Sequence, residues 1–343
     1  MNIAQVVRHL RWKPEGVAPS LESLQASHGA VTKRDVTGAI SGSNEGHPLT
    51  VVELPNGKII GDLRLVATAG DVVAGGVQGL FGCSDPQNHY LLRRSRFRLL
   101  KRRPGTALLL GAANSDNYYH WLVDSVPRWK LLEAAGWKNY DFVLLHSKPS
   151  PFQDEVLDRM GIPMEKRLRC SKNFVHQFDR LVVPAMPAPP EQIAPWSRDY
   201  LRSLFPDAVS GPARVYLRRG AGRRRLVNEP ELEAALAEKG FISVDPGTLT
   251  VAEQAKVLSA AKHVVAPHGS ALTNLIFAPP GASVLELFHP RHKNNCYVNI
   301  AAACGHRYAA LDGQMTNRAD DRQLEYTVDV PALVQMFPNS EIF

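Results

Sequence analysis

Apolar and polar positions in the first part of the chain alternate in short steps. Residues 48–73, PLTVVELPNGKIIGDLRLVATAGDVV, switch between the two around turn signals such as Pro55-Asn56-Gly57, which predicts short antiparallel strands. From residue 105 the pattern lengthens. TALLLGA and FVLLH are apolar runs with the length of buried strands, the segment from Tyr118 to Ala135 between them has helical spacing, and LVVP at 181–184 is a further strand.

The proline-dense stretch at 184–195 can neither continue a helix nor sit inside a sheet, so it marks a boundary between residues 1–190 and 191–343. Beyond it the alternation is regular: ARVYLRR, EPELEAALAEKG, FISVD, TVAEQAKVLSAA, HVVAP, SALTNLIF, SVLELF, NNCYVNIAAACG and RYAAL. Strands and helices in such succession imply a parallel sheet with right-handed crossovers. The last apolar segment, within EYTVDVPALVQMFPN, is a short helix with the option of packing back on the N-terminal domain.

Composition agrees with two ordinary globular domains: 343 residues, 44% hydrophobic and 21% charged. No run approaches the roughly 18 apolar residues of a membrane span, and MNIAQVVRHLRWKPEG lacks the apolar centre and cleavage site of a signal peptide, so a cytoplasmic location is expected. Cys83, Cys170, Cys296 and Cys304 are widely spaced without a C-x-x-C pair, which suits reduced packing residues better than disulfides or zinc. A net charge of +7 points to an anionic partner without choosing among nucleic acid, an acidic membrane surface and a phosphorylated substrate.

Chemistry is concentrated in a few places. In NSDNYYHWLVDSVPRWKLLEAAG, Ser115 or Asp116 can cap a helix whose Tyr119, Leu122, Val126 and Trp129 share one side, leaving His120, Asp124 and Arg128 together on the other. An imidazole and a carboxylate one turn apart form a pair able to deprotonate a hydroxyl; a solvated ion pair is the plainer alternative.

VYLRRGAGRRRLVNEPEL ends a strand in Arg218 and Arg219, follows it with a loop bearing Arg223, Arg224 and Arg225, and enters a helix at Asn228. Guanidinium forks after a parallel strand suit a diphosphate, although a basic loop can also simply face water. HVVAPHGSALTNLIF puts His268, Gly269 and Ser270 between a buried strand and a helix N-terminus, where phosphate binds without needing a metal. Glu286, inside the apolar SVLELF, needs a partner: two ribose hydroxyls or a neighbouring Arg or Lys.

The run YLLRRSRFRLLKRRPG, with Arg93, Arg94, Arg96, Arg98, Lys101, Arg102 and Arg103, suits an anionic acceptor or lipid headgroups. Its sparse aromatics, Tyr90 and Phe97, and the lack of a recognisable module speak against nucleic acid. The chain has neither G-x-x-x-x-G-K-[ST] nor G-x-G-x-x-G after a first strand. No convincing D-x-D is present to hold a metal, and Asp320-Asp321 is a poor substitute.

Six blocks in order resemble glycosyltransferase family 61: N-Y-Y-H-W-L-V-D-S-V-P-R at 117–128, Y-L-R-R at 216–219, R-L-V-N-E at 225–229, E-Q at 253–254, H-G-S-A-L-T-N at 268–274 and L-E-L-F at 285–288. The resemblance implies a GT-B α/β architecture: two Rossmann-like domains facing a cleft, the first with a β-rich start. It also implies inverting transfer from a nucleotide-sugar without an essential metal or other cofactor, in polysaccharide biosynthesis.

Residues 1–190 would then be the acceptor side, with Asp124 the leading candidate base, His120 its neighbour, and Asn117 and Arg128 nearby. Residues 191–343 would hold the donor through Arg218, Arg219, Arg225, His268, Gly269, Ser270, Asn274 and Glu286, with Asn274 equally readable as a structural helix residue. The family commonly reads H-G-A where this chain has His268-Gly269-Ser270, and Arg223 and Arg224 lengthen the basic loop, leaving open which arginine meets the diphosphate. The acceptor would be a glycan or lipid-linked glycan, with peripheral contact at the inner face of the membrane through the basic surface. Two rivals are a GT-B-like pyruvyltransferase using phosphoenolpyruvate and a nucleotide-fold binding protein without catalysis.

Overall fold

The computed structural model describes residues 15–18, 21–27, 31–42, 46–74, 99–206, 210–220, 223–316 and 324–337. The basic positions Arg93, Arg94, Arg96 and Arg98, like Asp320-Asp321, lie outside the described residues. The chain divides into two compact units, Met1–Pro189 and Pro190–Phe343. Among the described residues no helix is long and apolar enough to cross a membrane.

The N-terminal unit is built on one mixed sheet. Its strands are β1 (Gly16–Ala18), β2 (Thr32–Asp35), β3 (Thr50–Pro55), β4 (Lys58–Ile60), β5 (Leu65–Ala67), β6 (Val72–Ala74), β7 (Leu99–Leu109), β8 (Phe142–His146), β9 (Arg167–Cys170) and β10 (Phe174–Pro184). The path β1-β6-β5-β4-β10-β7-β8-β9 joins an early, mainly antiparallel half to a parallel half, β10-β7-β8-β9, with β3 pairing both β10 and β2. Leu54, Ile59, Leu63, Leu109, Leu144, Phe178 and Leu181 form the core of this sheet.

Pro55-Asn56-Gly57 does not reverse the chain. β3 and β4 both run antiparallel to β10, pairing with residues 180–184 and 175–177. The three residues are a bulge in one line of strand: Asn56, at φ 52°, donates its N–H to the Asp179 carbonyl, and the Gly57 carbonyl accepts from the Phe178 N–H. A Cβ on Gly57 would lie 2.7 Å from the Leu181 Cβ, so only glycine fits this approach.

The C-terminal unit holds β11 (Arg214–Leu217), β12 (Ile242–Val244), β13 (His263–Pro267), β14 (Ser283–Phe288) and β15 (Arg307–Asp312), all parallel, in the order β12-β11-β13-β14-β15. β14 is buried at every position, which is why SVLELF has no polar face. The helix Val251–Leu258 starts at a capping box of Thr250 and Glu253, and the helix Cys296–Cys304 ends at Gly305 in the left-handed region, φ 71°. β16 (Gln314–Met315) and β17 (Tyr326–Thr327) form a small ribbon, and the final helix Val330–Gln335 seats Leu333 in the core of this unit beside Tyr216, Leu232 and Phe241.

This strand order reverses direction between β11 and β13, so the loops after those two strands lead to opposite sides at their carboxyl ends, the kind of place where open α/β sheets bind ligands. The loops are the arginine segment after β11 and His268-Gly269 after β13.

Candidate functional site

In the N-terminal unit the chemistry follows the carboxyl end of β7. Gly111 crosses tightly between Leu63 and the His146 backbone, where a Cβ would lie 2.6 Å from Leu63 Cδ1. The loop that follows is pinned from inside: the Gln153 side chain donates to the Ser115 carbonyl at 2.6 Å, and the exposed Asn117 accepts the Tyr119 N–H on its side-chain oxygen at 2.9 Å. Asn117 therefore shapes the entry to the helical segment.

That segment is not one regular α-helix. His120–Ser125 forms a π-turn in which the Val126 N–H donates to the Trp121 carbonyl five residues back, and Ser125 Oγ donates to the His120 carbonyl at 3.1 Å. The α-helix Arg128–Ala134 follows. His120 Nδ1 lies 2.6 Å from Asp124 Oδ2, the ring being the more exposed partner, with side-chain exposures of 27% and 14%. A carboxylate can only accept, so Nδ1 carries the hydrogen and Nε2 is left as the basic atom.

Arg128 departs from its expected place beside that pair. The chain leaves regular helical phase through the π-turn and the turn at Val126-Pro127, and beyond them the Arg128 side chain lies in the interior rather than beside the pair. It is fully buried, and its guanidinium donates to the carbonyls of Gly111 (2.9 Å), Pro184 (3.0 Å), Leu110 and Ala185 (both 3.4 Å). Burial lowers its pKa to about 10, opposed by the Asp124 charge. Arg128 thus braces the ends of β7 and β10 from beneath Asp124 and presents no donor to a ligand.

In the C-terminal unit the expected donor residues gather around the β11–β13 switch point, with different roles. Arg218 pairs with Glu233 at 2.9 Å and Arg225 with Glu325 at 3.1 Å, so both are turned to carboxylates. Arg219 ties the loop together. Its Nε and Nη2 donate to the Arg223 carbonyl (3.2 and 2.9 Å), its Nη1 to the His268 carbonyl, and its main-chain N–H to Glu229, which also accepts from the Tyr216 hydroxyl at 2.9 Å.

Gly269 is required by that bridge. Its backbone is extended, and a Cβ there would stand 2.3 Å from Arg219 Nη1. Ser270 opens a 3-10 helix, Ser270–Phe277, in place of the expected α-helix. Asn274 is completely buried on that helix and donates to the Gln254 side chain at 2.7 Å and the Ala271 carbonyl at 3.0 Å, which makes it a structural residue.

Glu286, also completely buried, finds its protein partners in His268 and Tyr308 rather than in an Arg or Lys. One carboxylate oxygen accepts from His268 Nδ1 and the other from the Tyr308 hydroxyl at 2.6 Å. Burial and that carboxylate raise the Tyr308 pKa, keeping the phenol a donor. Asn294 completes the line: the Cys296 N–H donates to its side-chain oxygen at 3.1 Å, so its amide nitrogen faces His268 Nε2 at 3.2 Å. His268 is consequently held as the Nδ1–H tautomer, its ring stacked 4.9 Å from Phe288.

Two more residues complete this edge, Arg224, one of the loop arginines left open as the diphosphate contact, and His292, which lies outside the expected set. Arg224, with its backbone in the left-handed region at φ 65°, has its Nη1 buried without a hydrogen-bond partner among the described residues. His292 lies 5.4 Å from the His268 ring, and burial followed by the positive charge of Arg224 lowers its pKa to about 4. The sequence signal for them was present as the arginine run and as a histidine-rich turn, FHPRHKNN, after a buried parallel strand. No group of three His, Cys, Asp or Glu side chains able to hold a metal ion occurs among the described residues.

A parallel sheet with guanidinium and imidazole groups at its switch point and, in the other unit, an imidazole–carboxylate pair at the end of a parallel strand are arrangements of the kind group-transfer enzymes use. The sequence model of the family described as Glycosyltransferase 61 matches residues 118–285, from the π-turn to β14. Over that segment the chain belongs to glycosyltransferase family 61, and the protein is a glycosyltransferase. No curated protein matches the chain.

Proposed function

We propose that the enzyme is an inverting, metal-independent glycosyltransferase of the GT-B kind, moving a sugar from a nucleotide-sugar to a glycan or lipid-linked glycan hydroxyl in polysaccharide biosynthesis. The observation that carries this reading is the cationic edge of the β11–β15 sheet, where in the loop after β11, at the topological switch point, a buried Arg224 nitrogen has no hydrogen-bond partner among the described residues. Such an edge neutralises a diphosphate by itself, the task a divalent metal performs elsewhere.

In the N-terminal unit, His120 Nε2 takes the acceptor hydroxyl proton as that oxygen attacks the anomeric carbon and the carbon–oxygen bond to the diphosphate breaks. Asp124 holds Nδ1 and stabilises the imidazolium. A lipid-linked acceptor fits the start of β7, where exposed Leu99 and Leu100 precede Lys101 and Arg102. The family match favours this reading over pyruvyl transfer and over a non-catalytic nucleotide fold.

The test is a pair of variants, His120→Ala and Asp124→Asn, assayed for sugar transfer and for thermal stabilisation by nucleoside diphosphates with and without EDTA. Each is expected to lower kcat by about 10²- to 10⁴-fold with ligand stabilisation intact. Turnover within tenfold of wild type in His120→Ala would move the proton to Asp124; the same result in both would remove the pair from the chemistry.

A further inference from the structure

We propose that Arg224, seconded by His292, is the residue that grips the diphosphate of the nucleotide, in the very segment by which this chain's basic loop is longer than the family pattern. The inference rests on the nucleotide-sugar reading above and assigns the contact that the run of arginines leaves open.

The assignment follows from what the other cations already do. Arg218 and Arg225 are neutralised by Glu233 and Glu325. Arg219 engages Nε, Nη1 and Nη2 with two carbonyls and serves as the brace of the loop. By fixing the Arg223 carbonyl it also fixes the peptide that leads into Arg224. Arg223 itself is exposed to water.

Arg224 is different in each respect. It is half-buried, and its charge acts on His292 together with that of Arg219. A buried guanidinium nitrogen without an acceptor costs free energy unless a ligand supplies one. Its left-handed backbone adds strain of the kind found at ligand clamps. His292 supplies a second nitrogen beside it, facing Arg224, Arg219, His268 and His289 and repelled by them as a cation. Two guanidinium groups, Arg219 and Arg224, near enough to act on one another and with the uncharged His292 imidazole beside them, are stable together when a dianion sits among them. The two phosphates of a nucleotide-sugar provide that charge and a fork of oxygens matching the guanidinium.

The experiment is calorimetric titration of the full-length protein with UDP, GDP, dTDP and inorganic pyrophosphate, for wild type, Arg224→Ala, Arg224→Lys, His292→Asn and Arg225→Ala. Losing a charge-assisted contact is expected to raise Kd by about 10- to 100-fold in Arg224→Ala. The same factor should appear for pyrophosphate and for the nucleotide that binds wild type best. Arg224→Lys should recover part of the loss, His292→Asn should weaken binding several-fold, and Arg225→Ala should weaken it less than Arg224→Ala does.

Wild-type binding with Arg224→Ala within threefold of it overturns the assignment and leaves the donor site standing. No binding of any of these ligands by wild type overturns both. Should Arg224→Ala fail to fold, Arg224→Lys and His292→Asn carry the comparison, and wild-type affinity in both counts against the assignment.

Discussion

Replacing Arg128 by Met puts the interior brace to a quantitative test. The substitution keeps an apolar stem of similar length and deletes the guanidinium, so the charge and its burial cost disappear together. The remaining defect is a set of buried carbonyls without donors. Those of Gly111 and Pro184, bonded at 2.9 and 3.0 Å, are the ones that matter, since the 3.4 Å contacts to Leu110 and Ala185 are too long to add much. At about 1–3 kcal/mol for each orphaned group, the expected loss is about 4 kcal/mol. Arg128→Lys, whose ammonium cannot span both strand ends, should lose about half of that.

Urea unfolding at pH 7.5, followed by tryptophan fluorescence from the buried Trp121 and Trp129, reads the change directly. A loss below about 1 kcal/mol in Arg128→Met would show that the carbonyls find other donors. Arg128 would then be no brace, and its assignment to the acceptor side would have to be reopened.

Two further outcomes are expected. His176, 3% exposed and stacked with Phe178, has neither ring nitrogen hydrogen-bonded among the described residues, and burial with Arg103 and Lys101 nearby lowers its pKa to about 4. Because the unfolded chain takes up this proton near pH 6.5 and the folded chain only near 4, stability falls as pH drops through that window, by at most about 3 kcal/mol from this residue. His176→Phe should flatten the acid limb of a Tm-against-pH curve and leave pH 8 unchanged; an unaltered limb would count against it. Gly269→Ala should push Arg219 off the His268 carbonyl and weaken nucleoside diphosphate binding several-fold in the same titration, whereas unchanged affinity would mean the bridge plays no part.

The strands and helices beyond residue 210 are readable in the sequence because parallel strands covered on both faces are continuous apolar runs. VYL, HVVAP and SVLELF stand out against the helices between them. The reading fails where the determining contact is distant or the period is irregular. Pro55-Asn56-Gly57 resembles a reversing turn because its actual partner, β10, lies more than a hundred residues away. β10 itself begins at Phe174, before the apolar LVVP that marks it, since His176, Gln177 and Asp179 interrupt the pattern.

In the site, the approach of His120 to Asp124 follows from their spacing, but the position of Arg128 does not, because a 100° periodicity knows nothing of a π-turn. Glu286 visibly needs a partner. That the partners are His268 and Tyr308 depends on the parallel register of β13, β14 and β15, for which a single sequence carries no local code.

The π-turn also bears on how this segment is compared between chains. A wide turn is a helix carrying one residue more than its neighbours in space require, so the chain before Trp121 and the chain after Val126 are out of step by a single position. A relative without that extra residue would align through H-W-L-V-D with no visible gap in its hydrophobic pattern. Its counterpart of Arg128 would nevertheless leave the helix about 100° away, no longer aimed at the same carbonyls. Residue identity in this block is therefore informative only together with its length: the same twelve letters from 117 to 128, lengthened or shortened by one, encode a different set of neighbours.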